Sequence, residues 1–314
     1  MGLFYKELCE LTKSHVALPM NSGAEAVESC IKAVRKWGYK VKGVPEGKAE
    51  IIVVSNNFHG RTVTICSCST EPQYRDGFGP FTPGFKVVSY GNFEEFKAAV
   101  NPNTVAFMVE PIQGEAGIIV PPAGYLKKVY DYCRANRVLF VSDEIQTGFG
   151  RTGKKFCTEY EGFKPDMMAL GKALGGGVMP VSAVVASREI LGVFNPGDHG
   201  STFGGNPLAC AVARAALKVI VDEKLVEKSY EMGEYFMGLL RTIKSPYITE
   251  VRGKGLLIGV ELNCAARPFC EKLMAMGLLC KETHDHVIRF APPLVITKKE
   301  LDWAFKRVKK VLKK

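Results

Sequence analysis

An acid and a lysine stand at the carboxyl ends of two predicted strands. Asp143 closes the apolar strand that starts at Val138, and Lys172 follows the apolar segment that ends at Leu170. In α/β proteins, ligands collect at the carboxyl ends of the strands. Because small residues flank Lys172, we expect its amine to be desolvated, which would lower its pKa and make it a nucleophile. Asp143 could then hold a protonated pyridine nitrogen of a cofactor, although a surface salt bridge remains the alternative.

Two polar turns that contain glycine could bind a phosphate. Residues 21–24 (NSGA) precede a predicted helix, and small residues there would let backbone N–H groups approach an anion that the helix dipole also favours. Residues 201–207 (STFGGNP) form a second such turn, with hydroxyl groups. An ordinary helix cap and a plain turn are the respective alternatives.

An aromatic ring and a cation lie together in the segment NFHGRT, which follows a predicted strand. Phe58 could stack on a flat cofactor ring, and Arg61 could bind a substrate carboxylate through two parallel hydrogen bonds. The alternative is a core phenylalanine beside a solvated arginine. His59, between them, is expected to be a loop histidine with its hydrogen bonds satisfied.

An acid and an arginine from distant segments could meet in one site. Glu115 lies in the segment EPIQGEAG after a predicted strand, and Arg289 lies in VIRFAPP near the C-terminus. A structural ion pair is the alternative to a functional one.

The elements that must position these residues follow from the hydrophobic pattern. Short apolar strands alternate with helices, which predicts an α/β protein with helices on both faces of its sheet. We expect strands at 51–54, 87–88, 105–111, 138–144 and 181–186, and helices at 24–37, 93–100 and 124–136. A helical stretch runs from Pro207 to about Lys244, and a smaller α+β lobe follows. The predicted domains are therefore 1–243 and 244–314.

Composition narrows the class of protein. The chain has 314 residues, of which 46% are hydrophobic and 24% charged, which excludes a disordered protein. No run of about 20 apolar residues is present, so we expect no membrane partner. The net charge of +10 permits a polyanionic partner. We expect no nucleic acid, because the densest basic run, KRVKKVLKK, is typical of a solvated helix face.

The ten cysteines contain no CxxC pair. Most lie in apolar segments, so we expect buried free thiols and a reducing compartment. Cys66 and Cys68 form a CxC motif; we interpret it as part of a strand with at least one core thiol, and we predict no metal site.

Segments spread over nearly the whole chain resemble the class III aminotransferases, which are pyridoxal-phosphate enzymes of fold type I. The segments that carry the resemblance are LPMNSGAEAVE, KWGYKVKG, NFHGRT, DGFGPFTPGF, FMVEPIQGEAGIIVP, LFVSDEIQTGFGRTG, PDMMALGKALGGG, HGSTFGGNPLA, VRGKGLL and VIRFAPPLVI. DEIQTG followed by GKAL is specific for the class. The resemblance implies a mostly parallel central sheet flanked by helices, with a smaller C-terminal α+β domain.

The resemblance also implies a cofactor, pyridoxal 5′-phosphate, and the residues that bind it. Lys172 would join it as a Schiff base and shuttle a proton, Asp143 would pair with the pyridine nitrogen, and Gln146 would contact the ring hydroxyl. The remaining implied contacts are ring stacking by Phe58, phosphate binding by the N–H groups of Gly23 and Ala24, and phosphate binding by Ser201 and Thr202 of the neighbouring subunit. The last pair implies a homodimer.

The implied substrates are ornithine, whose δ-amino group would leave, and 2-oxoglutarate, which would receive it. Arg61 would bind a carboxylate. Glu115 and Arg289 would pair while ornithine is bound and separate so that Arg289 can bind the second carboxylate of glutamate or 2-oxoglutarate. Another class III activity, on acetylornithine or 4-aminobutyrate, and a truncated binding protein without turnover are the alternatives.

The family normally has a substantial region before LPMNSG, which supplies part of the small domain and aromatic residues of the substrate pocket. The resemblance therefore implies a shortened member of a longer family. We expect it in the cytoplasm, with the mitochondrial matrix as the alternative.

Overall fold

The computed structural model describes residues 1–313, which fold into two compact units. The first unit comprises Met1–Pro111, Pro121–Gln146 and Thr158–Lys218; the second comprises Ile112–Val120, Thr147–Cys157 and the chain from Val219 onward. The sequence prediction drew one boundary, after residue 243. The structural division differs because two short earlier stretches are bonded into the second unit; Arg252, for example, donates hydrogen bonds to the carbonyls of Gly117 and Ile118.

The first unit is built on a mixed, mostly parallel sheet. Its strands are β1 (Val16–Met20), β2 (Glu50–Val54), β3 (Phe85–Val88), β4 (Thr104–Val109), β5 (Leu139–Asp143), β6 (Met167–Leu170) and β7 (Ser182–Ala186). Within the described residues they lie in the order β1-β7-β6-β5-β4-β2-β3. Strands β2 to β6 pair in parallel, whereas β7 runs antiparallel to both β6 and β1, so β1 points the same way as β6.

Helices cover both faces of this sheet. They are α1 (Gly2–Thr12), α2 (Gly23–Trp37), α3 (Val63–Cys68), α4 (Phe93–Ala99), α5 (Tyr125–Ala135), α6 (Arg188–Leu191) and α7 (Pro207–Asp222), of which α7 ends in the second unit. One apolar cluster contains the inner face of α2 and a second contains α5, and the two take alternate residues of the same strands. All six residues of β4 are buried, as expected for a strand covered on both sides. The predicted fold class is confirmed.

Two local sequence interpretations are corrected by the structure. Strand β1 has no counterpart among the predicted strands. It contains Pro19 and, within residues 1–313, pairs only with β7; a proline is tolerated at the edge of a sheet because no ladder hydrogen bond is lost there. Cys66 and Cys68 lie on helix α3 and not on a strand, and both thiols are buried.

The second unit has a smaller, antiparallel sheet. Strands β8 (Ile248–Lys254), β9 (Leu257–Leu262), β10 (Lys281–Thr283) and β11 (Val287–Phe290) lie in the order β10-β11-β9-β8 within the described chain. Helices α8 (Leu225–Arg241), α9 (Arg267–Ala275) and α10 (Lys298–Leu312) share one apolar cluster with this sheet. The helical stretch predicted from Pro207 is two helices, because the backbone at Lys224 turns into the left-handed region.

The basic C-terminal run lies mostly on α10, and its last residue, Lys314, is outside the described residues. Leu301, Ala304, Val308 and Leu312 form the buried face of this helix, which leaves the lysines on the solvated face as predicted. In the described residues, no helix is long and apolar enough to cross a membrane.

Candidate active site

The carboxyl ends of five strands meet at one edge of the first sheet. Strands β1, β2, β4, β5 and β6 all point towards this edge, since each is parallel to its neighbours or related to β6 through two antiparallel pairings. The segments that follow these strands therefore converge there. They contain, in strand order, Asn21 to Ala24, Phe58 to Arg61, Glu110, Asp143 to Gln146, and Lys172.

A buried acid lies at the centre of this edge. Asp143 is the last residue of β5 and is 5% exposed. Its Oδ2 atom lies 2.7 Å from Nδ1 of His59, and its Oδ1 atom accepts a hydrogen bond from the backbone N–H of Ile145 at 3.1 Å. His59 is itself 3% exposed. His59 lies in the loop after β2, as predicted, but its hydrogen bonds are only partly satisfied, because Nδ1 is bonded to the acid and the buried Nε2 has no hydrogen-bond partner among the described residues. No local signal in the sequence links two residues that are 84 positions apart.

The protonation of His59 is set by the charges around it. Its burial would lower its pKa, but the hydrogen bond and the charge of Asp143, together with the charge of Glu110, raise the pKa above its ordinary value. Among the described residues, the buried Nε2 atom has no hydrogen-bond partner. Because an ionised carboxylate can only accept hydrogen bonds, Nδ1 carries the proton that faces Asp143.

A second acid supports the loop that holds His59. Glu110 follows β4, is buried, and accepts a hydrogen bond from the backbone N–H of Phe58 through Oε1 at 2.8 Å. Tyr90 donates from its hydroxyl to the carbonyls of Glu110 and Pro111. The segment after β2 is therefore tied to the segment after β4, which fixes the direction in which Phe58 and His59 leave the sheet.

Lys172 lies two residues beyond the end of β6, next to the strand of Asp143. Asp143 pairs with Ala169 in the ladder between β5 and β6. The backbone of Lys172 has a φ of +42°, in the left-handed region that a non-glycine residue rarely adopts. Its side chain is exposed, so the prediction that small neighbours desolvate the amine is wrong for the polypeptide alone. Strained backbone of this kind clusters at functional sites.

The small residues beside Lys172 have a packing role instead. A Cβ atom on Gly171 would lie 3.4 Å from the side chain of Ile145, and one on Gly23 would lie 3.1 Å from the same side chain. Ile145 lies two residues after Asp143 and packs between the two glycines. These glycines therefore bring the segments after β1, β5 and β6 close together.

The start of helix α2 offers backbone donors. Ser22 caps the helix by accepting from the N–H of Glu25, and the Glu25 carboxylate accepts from the N–H groups of Asn21 and Ser22. The N–H groups of Gly23 and Ala24 belong to the first turn, where no helix carbonyl can accept them. They and the helix dipole make this a position that favours an anion.

The turn at Ser201 lies beside this helix start within the same chain. The Ser201 hydroxyl accepts from the side-chain amide of Asn21 and from the N–H of Gly204, each at 3.0 Å. Thr202, the next residue, is exposed. Both predicted phosphate-binding turns are therefore joined through Asn21, the first residue of the predicted 21–24 turn.

Phe58 and Arg61 lie together with a tyrosine that the sequence analysis missed. The ring centres of Phe58 and Tyr74 are 5.5 Å apart with an edge-on angle of 68°. The guanidinium carbon of Arg61 lies 5.7 Å from the centre of the Phe58 ring and 5.2 Å from that of Tyr74. Two aromatic faces thus orient an exposed cation by cation–π contacts.

The second unit brings Glu115 and Arg289 together, as the sequence analysis suggested. Nη1 of Arg289 lies 2.5 Å from Oε1 of Glu115, and both side chains are about four-fifths buried. Burial would raise the pKa of Glu115, but the hydrogen bond and charge of Arg289, with a contribution from Lys281, lower it to about 2. The carboxylate of Glu115 is therefore ionised at neutral pH. Reciprocal backbone hydrogen bonds between Gln113 and Ile119 close the loop that carries Glu115.

A profile of the family "Aminotransferase class-III" matches residues 1–312. This chain belongs to the class III aminotransferases. The family assignment made from the motifs is thereby confirmed, and with it the class of enzyme.

Curated relatives of this class III aminotransferase align over its whole length. The ornithine aminotransferase of Brevibacillus brevis is 63% identical over 312 residues, which are 99% of this chain and 78% of the relative. That of Bacillus subtilis is 59% identical over 313 residues, which cover the whole chain and 78% of the relative.

Solved structures show the same likeness. The ornithine aminotransferase of Toxoplasma gondii superposes with a TM-score of 0.98 at 45% identity and covers 99% of this chain and 76% of that one. The acetylornithine aminotransferase of Elizabethkingia anophelis superposes with a TM-score of 0.89 at 48% identity and covers 99% of this chain and 78% of that one.

Class III aminotransferases use pyridoxal 5′-phosphate, and a further T. gondii structure is described as having that cofactor at partial occupancy in its active site. The residues at the edge of the first sheet fit this group. A carboxylate has about four lone-pair positions, and the two bonds from His59 and Ile145 leave Asp143 able to accept from a further N–H. The α2 start favours a phosphate, Phe58 is a half-buried aromatic ring, and Lys172 supplies a primary amine.

Proposed function

We propose that this class III aminotransferase moves the δ-amino group of ornithine to 2-oxoglutarate, giving glutamate 5-semialdehyde and glutamate. The curated relatives at 59–63% identity support this choice. The observation that carries it is the pair of Glu115 and Arg289, at 2.5 Å. One site must accept an amine tail and then an acid tail, and a cation whose charge is reversibly neutralised by a movable acid meets both needs.

At the edge of the first sheet, the chain's own residues would hold the cofactor and move a proton. Pyridoxal phosphate, when bound, supplies an electron-withdrawing ring that stabilises charge on the substrate carbon. Asp143, positioned by its hydrogen bond with His59, would accept the pyridinium N–H, and Gln146 would contact the ring hydroxyl. Phe58 would stack on the ring, and Gly23 and Ala24 would donate N–H groups to the phosphate. Lys172 Nζ would take the proton from the substrate carbon and return it as general base and acid.

Two arginines would bind the carboxylates of the substrates. Arg61, held between the faces of Phe58 and Tyr74, is assigned to the carboxylate that both substrates share. Arg289 is assigned to the second carboxylate of 2-oxoglutarate or glutamate, and Glu115 neutralises Arg289 when ornithine is bound. In this arrangement, the charge of Arg289 is neutralised when the amine tail of ornithine is bound and is available to the second carboxylate of an acidic substrate.

We further propose a homodimer in which Ser201 and Thr202 reach the phosphate site of the neighbouring subunit. The exposed side chain of Thr202 supports this proposal, because it is accessible to a neighbouring subunit. The cytoplasm is the proposed location, since all ten cysteines are free thiols, most of them buried, in keeping with a reducing compartment.

Acetylornithine is the second candidate donor, and the 48% identity to the E. anophelis enzyme named for it favours testing it. The test uses the purified holoenzyme with each donor and 2-oxoglutarate, and glutamate formation is measured by mass spectrometry. We expect turnover with ornithine, and none with Lys172→Ala, whose protein should also lose the visible absorbance of a lysine-bound cofactor. A higher kcat/KM for acetylornithine would overturn the choice of donor. Cofactor binding without turnover of either donor would support a binding protein instead.

A further inference from the structure

Glu115 is held by two cations, one on each carboxylate oxygen. Oε1 lies 2.5 Å from Nη1 of Arg289, and Oε2 lies 3.2 Å from Nζ of Lys281. The two cations differ in their surroundings: the side chain of Arg289 is 18% exposed and that of Lys281 is 60% exposed. Lys281 therefore remains hydrated while it binds the acid.

The strand register explains why both cations reach one acid. Lys281 and Arg289 are directly opposite each other in the antiparallel pair of β10 and β11, so their side chains lie on the same face of the ladder. Like charges in directly opposed positions repel. Glu115 lies against both, and its single negative charge offsets that repulsion.

Strand β10 also holds the backbone of Glu115. The hydroxyl of Thr283 donates to the carbonyl oxygen of Glu115. Thr283 and Lys281 are two residues apart on a strand and so point to the same side. One strand thus anchors both the main chain and one carboxylate oxygen of Glu115, independently of Arg289.

This arrangement determines what happens to Glu115 when Arg289 takes another carboxylate. Separation from Arg289 removes one of the charges that stabilise the half-buried carboxylate of Glu115, which is unfavourable. With Lys281 in place, Glu115 keeps a cation on Oε2 while Arg289 binds another carboxylate. Lys281 therefore lowers the cost of separating Glu115 from Arg289.

We propose that Lys281 is a positioning residue that retains Glu115 while Arg289 binds the second carboxylate of the acidic substrate. This inference rests on the proposed function, because it assigns to Lys281 the opening of the Glu115–Arg289 pair. Lys281 acts through Glu115 and does not touch the substrate. It selects for dicarboxylates and leaves the binding of ornithine unchanged.

The test measures binding of glutarate, an unreactive dicarboxylate, to the holoenzyme by calorimetry. Lys281→Met should weaken glutarate binding about fivefold to tenfold, within the usual range of coupling between two sites. Lys281→Arg should restore it. Glu115→Gln should bind glutarate more tightly than the wild type, because Arg289 is no longer neutralised. Lys306→Met removes an exposed positive charge from α10 and is the matched control; it should bind glutarate as tightly as the wild type does.

The decisive comparison is the double variant Glu115→Gln/Lys281→Met. If Lys281 acts through Glu115, this protein should bind glutarate as tightly as Glu115→Gln alone. Weaker binding in the double variant would mean that Lys281 attracts the dicarboxylate directly, which would overturn the proposal. Unchanged binding in Lys281→Met, or no binding to the wild type, would overturn it as well.

The kinetic counterpart separates this inference from the proposed function. Lys281→Met should raise the KM for 2-oxoglutarate and leave kcat and the KM for ornithine unchanged. If ornithine is no donor, the proposed function fails, but the glutarate series still decides the role of Lys281. If ornithine is turned over and the glutarate series is flat, only the role of Lys281 fails.

Discussion

The imidazole of His59 lies 2.7 Å from the carboxylate of Asp143, and both side chains are almost fully buried. His59 follows β2 and Asp143 is the last residue of β5, and the sheet order places β4 between these two strands. The sheet order therefore places the His59 imidazole, a hydrogen-bond donor, beside the buried acid Asp143 two strands away.

Removal of the His59 imidazole is expected to destabilise the first unit. His59→Leu leaves Asp143 with one hydrogen bond in a buried site, and the loss of one member of a buried pair costs roughly 3–5 kcal/mol. Urea unfolding measures this loss. His59→Gln retains a neutral N–H donor and should recover part of it. His15→Leu, which alters an exposed histidine before β1, should have almost no effect.

The contribution of His59 should depend on pH in a defined direction. The folded-state pKa is raised, so the stabilisation is complete below the unfolded pKa of about 6.5 and is lost as the pH rises through the folded pKa. The difference in unfolding free energy between wild type and His59→Leu should accordingly be larger at pH 6 than at pH 9. A difference that grows with pH would contradict the assigned protonation.

Glu115 should give the opposite dependence in acid. Its pKa of about 2 lies below the unfolded value of about 4.3, so its stabilisation is present above the unfolded pKa and is lost as the pH falls towards 2. With allowance for solvent screening, we expect a loss on the order of 1–2 kcal/mol. Comparison of acid unfolding curves of wild type and Glu115→Gln measures it. Curves that stay parallel between pH 5 and pH 2.5 would refute the ion pair.

Two glycines of helix α8 should respond in opposite ways to alanine. A Cβ atom on Gly233 would lie 2.1 Å from the carbonyl oxygen of Gly255, so Gly233→Ala must displace backbone and should lower the stability by several kcal/mol. A Cβ atom on Gly238 would meet nothing within 4 Å. Gly238→Ala should therefore stabilise the helix by about 0.5–1 kcal/mol. Thermal unfolding of the two variants, which share one helix, compares them directly.

Arg61→Lys should impair the binding of both substrates. A lysine cannot make two parallel hydrogen bonds to a carboxylate and stacks less well on aromatic rings. We expect KM values for ornithine and 2-oxoglutarate to rise about tenfold, which corresponds to about 1.4 kcal/mol, with little change in kcat. The control is Arg35→Lys, because Arg35 also lies over an aromatic ring, that of Phe85. Equal effects of the two variants would show that Arg61 acts only in packing.

The main elements could be predicted because full burial imposes a simple pattern. A strand such as β4 is covered on both faces and must be apolar throughout, and the run from Val105 to Val109 shows this directly. Strand β1 escaped prediction because Pro19 speaks against a strand, and only its place at the sheet edge makes the proline acceptable. Local sequence does not contain the order of the strands.

The site residues could be proposed singly but not as contacts. Phe58, Asp143 and Lys172 lie in short motifs, and such motifs can be recognised in the sequence alone. The hydrogen bond from His59 to Asp143 and the contact of Lys281 with Glu115 join residues 84 and 166 positions apart, and they arise from sheet order and register. Contacts between residues so far apart leave no local pattern in the sequence, because they form only when the sheet folds.

The left-handed backbone at Lys172 has a consequence for selection. A glycine would adopt this conformation without strain, so Lys172→Gly should fold more stably than the wild type by about 1 kcal/mol while losing all turnover. At this position, any gain in stability comes at the expense of activity. A screen for heat resistance alone would therefore drive the protein towards an inert form, and the lysine persists only where selection acts on the reaction itself.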